Sequence, residues 1–214
     1  MVKLLLAGTG LIGHRHMQHI LEHPDLELVG IIDPLITDEK IEGVTTYSSL
    51  SDVNKLADGI ILATPTETHA DLTIQSLEMG LHVLVEKPVA ASLPEADKMI
   101  RASEKTGLSI LVGHHRRHHP LVNETINIIK SGKIGRPVAA SLMWLMLKQD
   151  EYFDVEWRKG IDGGPIKQNL IHDVDTLRAF FGEVISVVGS GTNIVRNAKR
   201  HENGGVVLDL VQEW

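Results

Sequence analysis

The run Val2-Lys3-Leu4-Leu5-Leu6-Ala7-Gly8-Thr9-Gly10-Leu11-Ile12-Gly13 constrains the fold more than any other stretch. Apolar residues at consecutive positions suit a strand buried on both faces, as in a parallel sheet covered by helices. Glycines end the run and an amphipathic segment follows, so the strand turns sharply into a helix. Gly8 permits the tight turn, Gly10 lets backbone approach a pyrophosphate with no Cβ in the way, and Gly13 lets the helix lie close on the strand. Beside Thr9, the helix start at Leu11 and Ile12 offers unpaired N–H groups and a partial positive charge to phosphate oxygens. Glycine turns also arise from packing alone, and the next strand helps separate the two cases. Residues 26–33 form a second apolar run ending in Asp33, about 20 residues past the last glycine, where an adenosine ribose would present its 2′-hydroxyl. The combination points to dinucleotide binding. A carboxylate at position 33 repels a 2′-phosphate, so NAD is favoured over NADP, with Arg15 the nearest residue arguing the other way.

The chain has 214 residues, 43% of them hydrophobic, enough for one good core and a smaller second one. A formal charge of −7 excludes the basic field that nucleic acids require, and disfavours anionic membranes as well. No apolar run approaches the roughly 20 residues of a membrane span, and no signal-peptide pattern precedes the first strand; the expectation is a soluble, cytoplasmic protein. The absence of cysteine excludes disulfides, thiolate catalysis and cysteine-based zinc sites. Of the 12 histidines, His14, His16 and His19 share the first helix, where no acid completes a ligand set, so they are assigned to helix surface and packing rather than metal.

Taken in order, the expected elements are a helix over 11–22, a weak strand over 43–48, a short helix over 51–57 capped by Ser51 or Asp52, and a strand over 59–64. That strand runs into Thr64-Pro65-Thr66-Glu67-Thr68-His69 and a helix closed by Gly80; His69 could contact a cofactor or cap the helix. A strand over 81–85 leads into Glu86-Lys87-Pro88, and a helix over 94–106, stopped by Gly107, precedes a strand over 109–113. This alternation implies an α/β domain, a doubly wound, mainly parallel Rossmann sheet over residues 1–119 with ligands at the strand carboxyl ends. Residues 120–214 read as an α+β domain with an open, mainly antiparallel sheet: a helix over 120–131, a strand over 138–147, a loop over 152–164, a helix from about Pro165 to Phe181, and strands over 184–195 and 205–211.

Four segments together, Gly8-Thr9-Gly10-Leu11-Ile12-Gly13, Ala63-Thr64-Pro65 with His69, Glu86-Lys87-Pro88, and Gly163-Gly164-Pro165 with His172-Asp173-Val174-Asp175, resemble the Gfo/Idh/MocA family of nicotinamide-dependent sugar and polyol dehydrogenases. The resemblance implies that Lys87 lies beside the nicotinamide and the substrate hydroxyl, with Glu86 near the nicotinamide ribose. It also implies that His172 faces the lysine across the substrate pocket. Oxidising a carbinol carbon requires the hydroxyl proton to leave in step with hydride, so a base must reach that oxygen. Lysine serves when burial and positive neighbours lower its pKa, and histidine titrates near neutrality.

Many family dehydrogenases carry an aspartate one helical turn before the histidine, where this chain has Gln168 followed by Asn169. Both amides can hydrogen-bond substrate hydroxyls, and neither can accept a proton. By the same resemblance Arg116 lies near substrate or nicotinamide while Arg117 pairs with a structural carboxylate; an arginine there also serves as a clamp. Trp157 and Arg158 could wall the nicotinamide pocket or anchor their loop, and Asp173 and Asp175 are expected to hold a neighbouring element or orient the imidazole. Family members usually carry further strands and a C-terminal helix, so residues 120–214 are expected to be an incomplete domain, a homo-oligomer through its sheet, or both. The sequence therefore supports hydride transfer between NAD and a hydroxyl carbon of a sugar, cyclitol or related polyol. A non-catalytic NAD-binding regulator and an NAD-dependent glycoside hydrolase are the competing expectations.

Overall fold

A computed structural model of the chain describes residues 1–54, 56–143, 149–154, 169–192 and 203–210. The chain divides into two compact units, Met1–Gly113 and His114–Trp214.

The first unit contains β1 (Val2–Ala7), α1 (Leu11–Glu22), β2 (Leu26–Ile32), β3 (Lys40–Ile41), β4 (Val44–Tyr47), β5 (Gly59–Leu62), α2 (His69–Glu78), β6 (His82–Val85), α3 (Leu93–Thr106) and β7 (Ile110–Val112). Its sheet runs β3-β4-β2-β1-β5-β6-β7, parallel throughout except for the β3–β4 pair. Strand alternation sends Leu5, Ile60, Leu62, Val83 and Val85 to one face, where they pack with Leu77 of α2 and Met99 of α3. Leu6, Ile31 and Ile61 point the other way, onto Met17 and Ile20 of α1. Both faces are therefore dry, as the continuous apolar strands require, and each such buried side chain contributes about 1.5–3 kcal/mol. The doubly wound sheet expected from the sequence is present, and the chain reverses direction across it at β1, between β2 and β5.

Helix α3 shows how locally the sequence specifies its elements. The Ser92 side chain accepts from the Glu95 N–H, Pro94 stands in the first turn, and Gly107 closes the helix at φ 70°. Two elements differ from expectation. The strand near 43–48 is β4, and it is preceded by a short antiparallel partner, β3, reached through Glu42 and Gly43 at φ 48° and 79°. A glutamate in the left-handed region gives no sequence signal for such a hairpin. The helix expected over 51–57 is a single 3-10 turn, Leu50–Asp52, whose cap is Ser49 rather than Ser51 or Asp52. Leu50 is the residue it buries, so one anchored side chain takes the place of an amphipathic face.

The second unit begins with a 3-10 turn, His115–His118, followed by α4 (Pro120–Lys130), a 3-10 turn at Asp150–Asp154, α5 (Ile171–Phe181), and the antiparallel pair β8 (Val184–Thr192) and β9 (Asn203–Leu210). The strand expected over 138–147 is not found in its described part, since residues 138–143 join no sheet and Val138 is exposed; residues 144–148 lie outside the described residues. Part of the expected loop over 152–164 is the 3-10 turn, and the expected helix start near Pro165 also lies outside the described residues, with α5 ending at Gly182 as expected.

Candidate functional site

The carboxyl ends of β1, β2, β5 and β6 lie along one edge of the first sheet, and backbone hydrogen bonds hold them in step. The Gly8 N–H donates to the Ile32 carbonyl at 2.8 Å, that of Ala63 to Ala7 at 2.8 Å, and that of Glu86 to Leu62 at 2.9 Å. The glycine turn, Asp33, Thr64 and the Glu86-Lys87-Pro88 segment therefore emerge together.

At the turn, Gly8 sits at φ 89°, and a Cβ there would stand 2.5 Å from the Ala63 carbonyl oxygen. A Cβ on Gly13 would overlap the Gly8 carbonyl, so α1 lies against the end of β1 only because that position has no side chain. Gly10 differs: a Cβ there would meet nothing within 4 Å. The first turn of α1 has no side-chain cap at Gly10 and no acidic residue. An open approach and an uncapped helix start fit a pyrophosphate, which N–H groups and the helix dipole would hold.

Asp33 follows β2 at the same edge. Its Oδ2 accepts from the Thr9 N–H at 3.0 Å and the Thr9 hydroxyl at 2.6 Å, and its Oδ1 accepts from the Leu35 N–H at 3.0 Å. Burial works to raise its pKa; the Thr9 hydroxyl, with the Leu35 and Thr9 N–H groups, outweighs it and holds the carboxyl below its ordinary value. The second residue of the glycine motif thus orients the acid that follows β2.

Farther along, Thr64 accepts from the Thr68 hydroxyl at 2.7 Å, and the Pro65 carbonyl accepts from the same hydroxyl at 2.8 Å, which fixes the turn entering α2. His69 neither caps the helix nor faces solvent. It is 1% exposed, with Nδ1 2.8 Å from the Pro88 carbonyl oxygen and Nε2 2.9 Å from that of Thr64. Glu86 is pulled down from its ordinary pKa: burial opposes ionisation, and the hydrogen bond and charge of His16 prevail, helped by the Lys87 N–H and the charge of Lys87. His16 Nε2 lies 2.9 Å from Glu86 Oε1, which corrects the assignment of this histidine to helix surface and packing. The face α1 buries is Gly13, Met17 and Ile20. Helical periodicity carries no signal for a partner 70 residues away. Lys87 itself is half-buried.

In the second unit, His172 is buried in the first turn of α5, its ring edge-on to His115 at 5.1 Å and to His114 at 5.9 Å between centroids. Arg116 Nη1 donates to Asp173 Oδ1 at 2.5 Å, and Arg117 grips both carboxylate oxygens of Asp175, at 2.5 and 2.9 Å. The two aspartates therefore clamp the His115–His118 turn onto α5, and the Arg116 guanidinium is engaged in that clamp. Burial raises the pKa of Asp175, but the Arg117 hydrogen bond and the charges of His114, Arg117 and Arg178 bring it below the ordinary value. Asn169 lies in a π-type turn just ahead of α5, half-buried. Trp157, Arg158 and Gln168 lie outside the described residues. Among the described residues, no group of three or more histidine, aspartate or glutamate side chains is arranged to hold a metal ion, and no helix is long and apolar enough to cross a membrane.

Asp33, Glu86 and Asp175 share a sign. Their folded pKa values lie below the unfolded ones, so each contributes stability that is present above the ordinary carboxylate range and lost as pH falls through the folded value. The midpoint of thermal unfolding should hold level from pH 7 to 5 and fall below about pH 4. Calorimetry across that range checks this, and a decline beginning above pH 6 would assign acid sensitivity to other groups.

Residues 2–114 match the model of an oxidoreductase family with an NAD-binding Rossmann fold, and residues 122–212 match the Gfo/Idh/MocA C-terminal domain. The chain is 29% identical over 218 residues to the scyllo-inositol 2-dehydrogenase (NAD(+)) of Bacillus subtilis, covering 96% of this chain and 61% of that protein. It is 26% identical over 204 residues to the inositol 2-dehydrogenase of Rhizobium meliloti, covering 92% and 60%. The WlbA dehydrogenase of Bordetella pertussis, solved with NADH and UDP-GlcNAcA, superposes with a TM-score of 0.84 at 28% identity, covering 97% of this chain and 66% of that one. The chain thus spans about 60% of the length of these two curated relatives.

Proposed function

The chain belongs to the Gfo/Idh/MocA oxidoreductase family, and from that membership we propose that it works in an NAD-dependent dehydrogenase acting on a hydroxyl carbon of an inositol, sugar or related polyol. The observation that carries the reading is the common edge where the open glycine turn, Asp33 and the Glu86-Lys87-Pro88 segment emerge from neighbouring strands. When bound, NAD supplies the hydride acceptor.

The protein's own residues supply the rest. Gly8, Thr9, Gly10, Leu11, Ile12 and Gly13 form the pyrophosphate turn, and Asp33, ionised and oriented by Thr9, accepts from the adenosine ribose hydroxyls. Thr64 and Pro65 line the same edge, and Glu86 receives the nicotinamide ribose. Lys87 takes the substrate hydroxyl proton as hydride leaves the carbon, and His172 is the second group handling that proton. On the family resemblance alone, Gln168, Asn169, Arg116, Trp157 and Arg158 are proposed as substrate contacts. The relatives named for inositol oxidation make cyclitols the first substrates to try. We also propose a homo-oligomer built through the β8–β9 pair, where Ile185, Val187 and Val188 are exposed.

The test is a panel of inositols, hexoses and sugar acids assayed for NADH formation by the absorbance of reduced nicotinamide, at about millimolar concentrations. Formation of NADH with at least one polyol supports the reading. Tight NAD binding with no NADH from any of them would favour the non-catalytic reading, and sugar release from an aryl glycoside without net NADH would favour the hydrolase. Asp33→Ser should weaken NAD binding by about 10–100-fold, as expected for losing hydrogen bonds to a charged acceptor, and narrow the preference for NAD over NADP. Titration of both cofactors against the variant measures this; an unchanged NAD:NADP ratio would remove Asp33 from cofactor choice.

A further inference from the structure

Lys87 is flanked by two residues that histidines from different helices hold in place. On the amino side, Glu86 Oε1 lies 2.9 Å from His16 Nε2 of α1, while its Oε2 accepts the Lys87 N–H at 3.2 Å. Gly113 lies close against the same carboxylate, since a Cβ there would stand 3.0 Å from it. On the other side, the Pro88 carbonyl oxygen lies 2.8 Å from His69 Nδ1, and the opposite nitrogen of that ring lies 2.9 Å from the Thr64 carbonyl oxygen. Carbonyl oxygens only accept, so one ring proton secures one of these contacts and a second proton secures both. His69 is 1% exposed and the His16 side chain 23%, so neither contact is a loose surface pairing.

We propose that His16 and His69 are positioning residues for Lys87, setting where its ammonium group stands without touching substrate. The inference rests on Lys87 being the base. A three-residue turn tied at both flanks has little freedom to drift, and its anchors reach the helix that starts at the glycine turn and the loop that carries Thr64. The segment bearing the base is thereby tied to the same two elements that receive the cofactor. Misplacement of a reacting group by about 1 Å can cost two orders of magnitude in rate, so holding the turn is a catalytic matter even at this remove.

The test combines kinetics with a probe of the lysine that needs neither cofactor nor substrate. Reductive methylation with 13C-formaldehyde labels lysines, and the Lys87 dimethylamine signal is identified by its loss in Lys87→Met. His16→Leu and His69→Leu should each move that signal toward the exposed lysines. Each should also lower kcat by about 10–100-fold, and in His69→Leu, which leaves the His16–Glu86 contact in place, the KM for NAD should stay within about threefold. His16→Gln retains a donor for Glu86 and should recover most of the loss seen in His16→Leu, which a merely bulky packing role would not predict. If His69→Leu does not fold, the His16→Leu and His16→Gln pair decides. Folded leucine variants with lowered unfolding temperature but unchanged Lys87 signal and kcat would overturn the proposal. Full turnover in Lys87→Met would instead remove the base reading, and the shift of the signal in the leucine variants would then decide positioning by itself.

Discussion

Replacing Lys87 by methionine is expected to lower turnover of a polyol substrate by about 10²–10⁴-fold, the range for losing a general base, while NAD affinity changes by less than about threefold. Methionine keeps the length and much of the volume of the side chain and removes the nitrogen, so the backbone of the turn, held through Glu86 and Pro88, has no reason to move. The separation of the two quantities is the point. Loss of a group that acts on the substrate proton lowers kcat, whereas loss of a group that only holds the dinucleotide raises its dissociation constant. Single-turnover NADH formation beside a binding titration measures both, and unchanged turnover would reject Lys87 as the base.

A second large effect is expected at the glycine turn. Gly13→Ala places a Cβ onto the Gly8 carbonyl, which belongs to backbone and has no flexible end to yield. Either α1 lifts from the sheet or β1 loses its turn; both withdraw N–H groups from the phosphate position. Overpacking of this kind costs about 1–3 kcal/mol, and the unfolding temperature should fall by about 2–12 °C in a chain of this size. NAD affinity should fall by about 100-fold or more. Gly10→Ala is the control that divides fold from ligand. Its Cβ meets no protein atom, so stability should hold, yet the side chain stands in the open approach and NAD binding should still weaken. Loss of binding in neither variant would remove the turn as a phosphate site, and equal destabilisation in both would contradict the packing described.

What the sequence made legible follows the range of the interactions involved. Strand parity, the Ser92 cap and the Gly107 stop act within a few residues, and the parallel sheet and α3 follow from them directly. The Glu42-Gly43 hairpin was hidden because its first residue takes a left-handed conformation that glutamate rarely adopts. The expected helix over 51–57 contained helix-forming residues but no second buried face, and one turn anchored by Leu50 formed instead. At the candidate site, residue types announced themselves where a motif fixes their spacing, as for Gly8, Gly13 and Asp33. The partners of His16 and His69 lie 70 and 19 residues away, beyond any local rule, and only the folded sheet brings them to the flanks of Lys87.

Thr9 gives two donors to a single oxygen of Asp33, and this bears on any attempt to retune the protein toward the phosphorylated dinucleotide. Removing the acid alone strands a hydroxyl and an amide that had shared it, in the very turn proposed to receive the phosphates. Conversion of cofactor preference is therefore a two-position problem from the outset, in which residue 9 has to be redesigned together with residue 33.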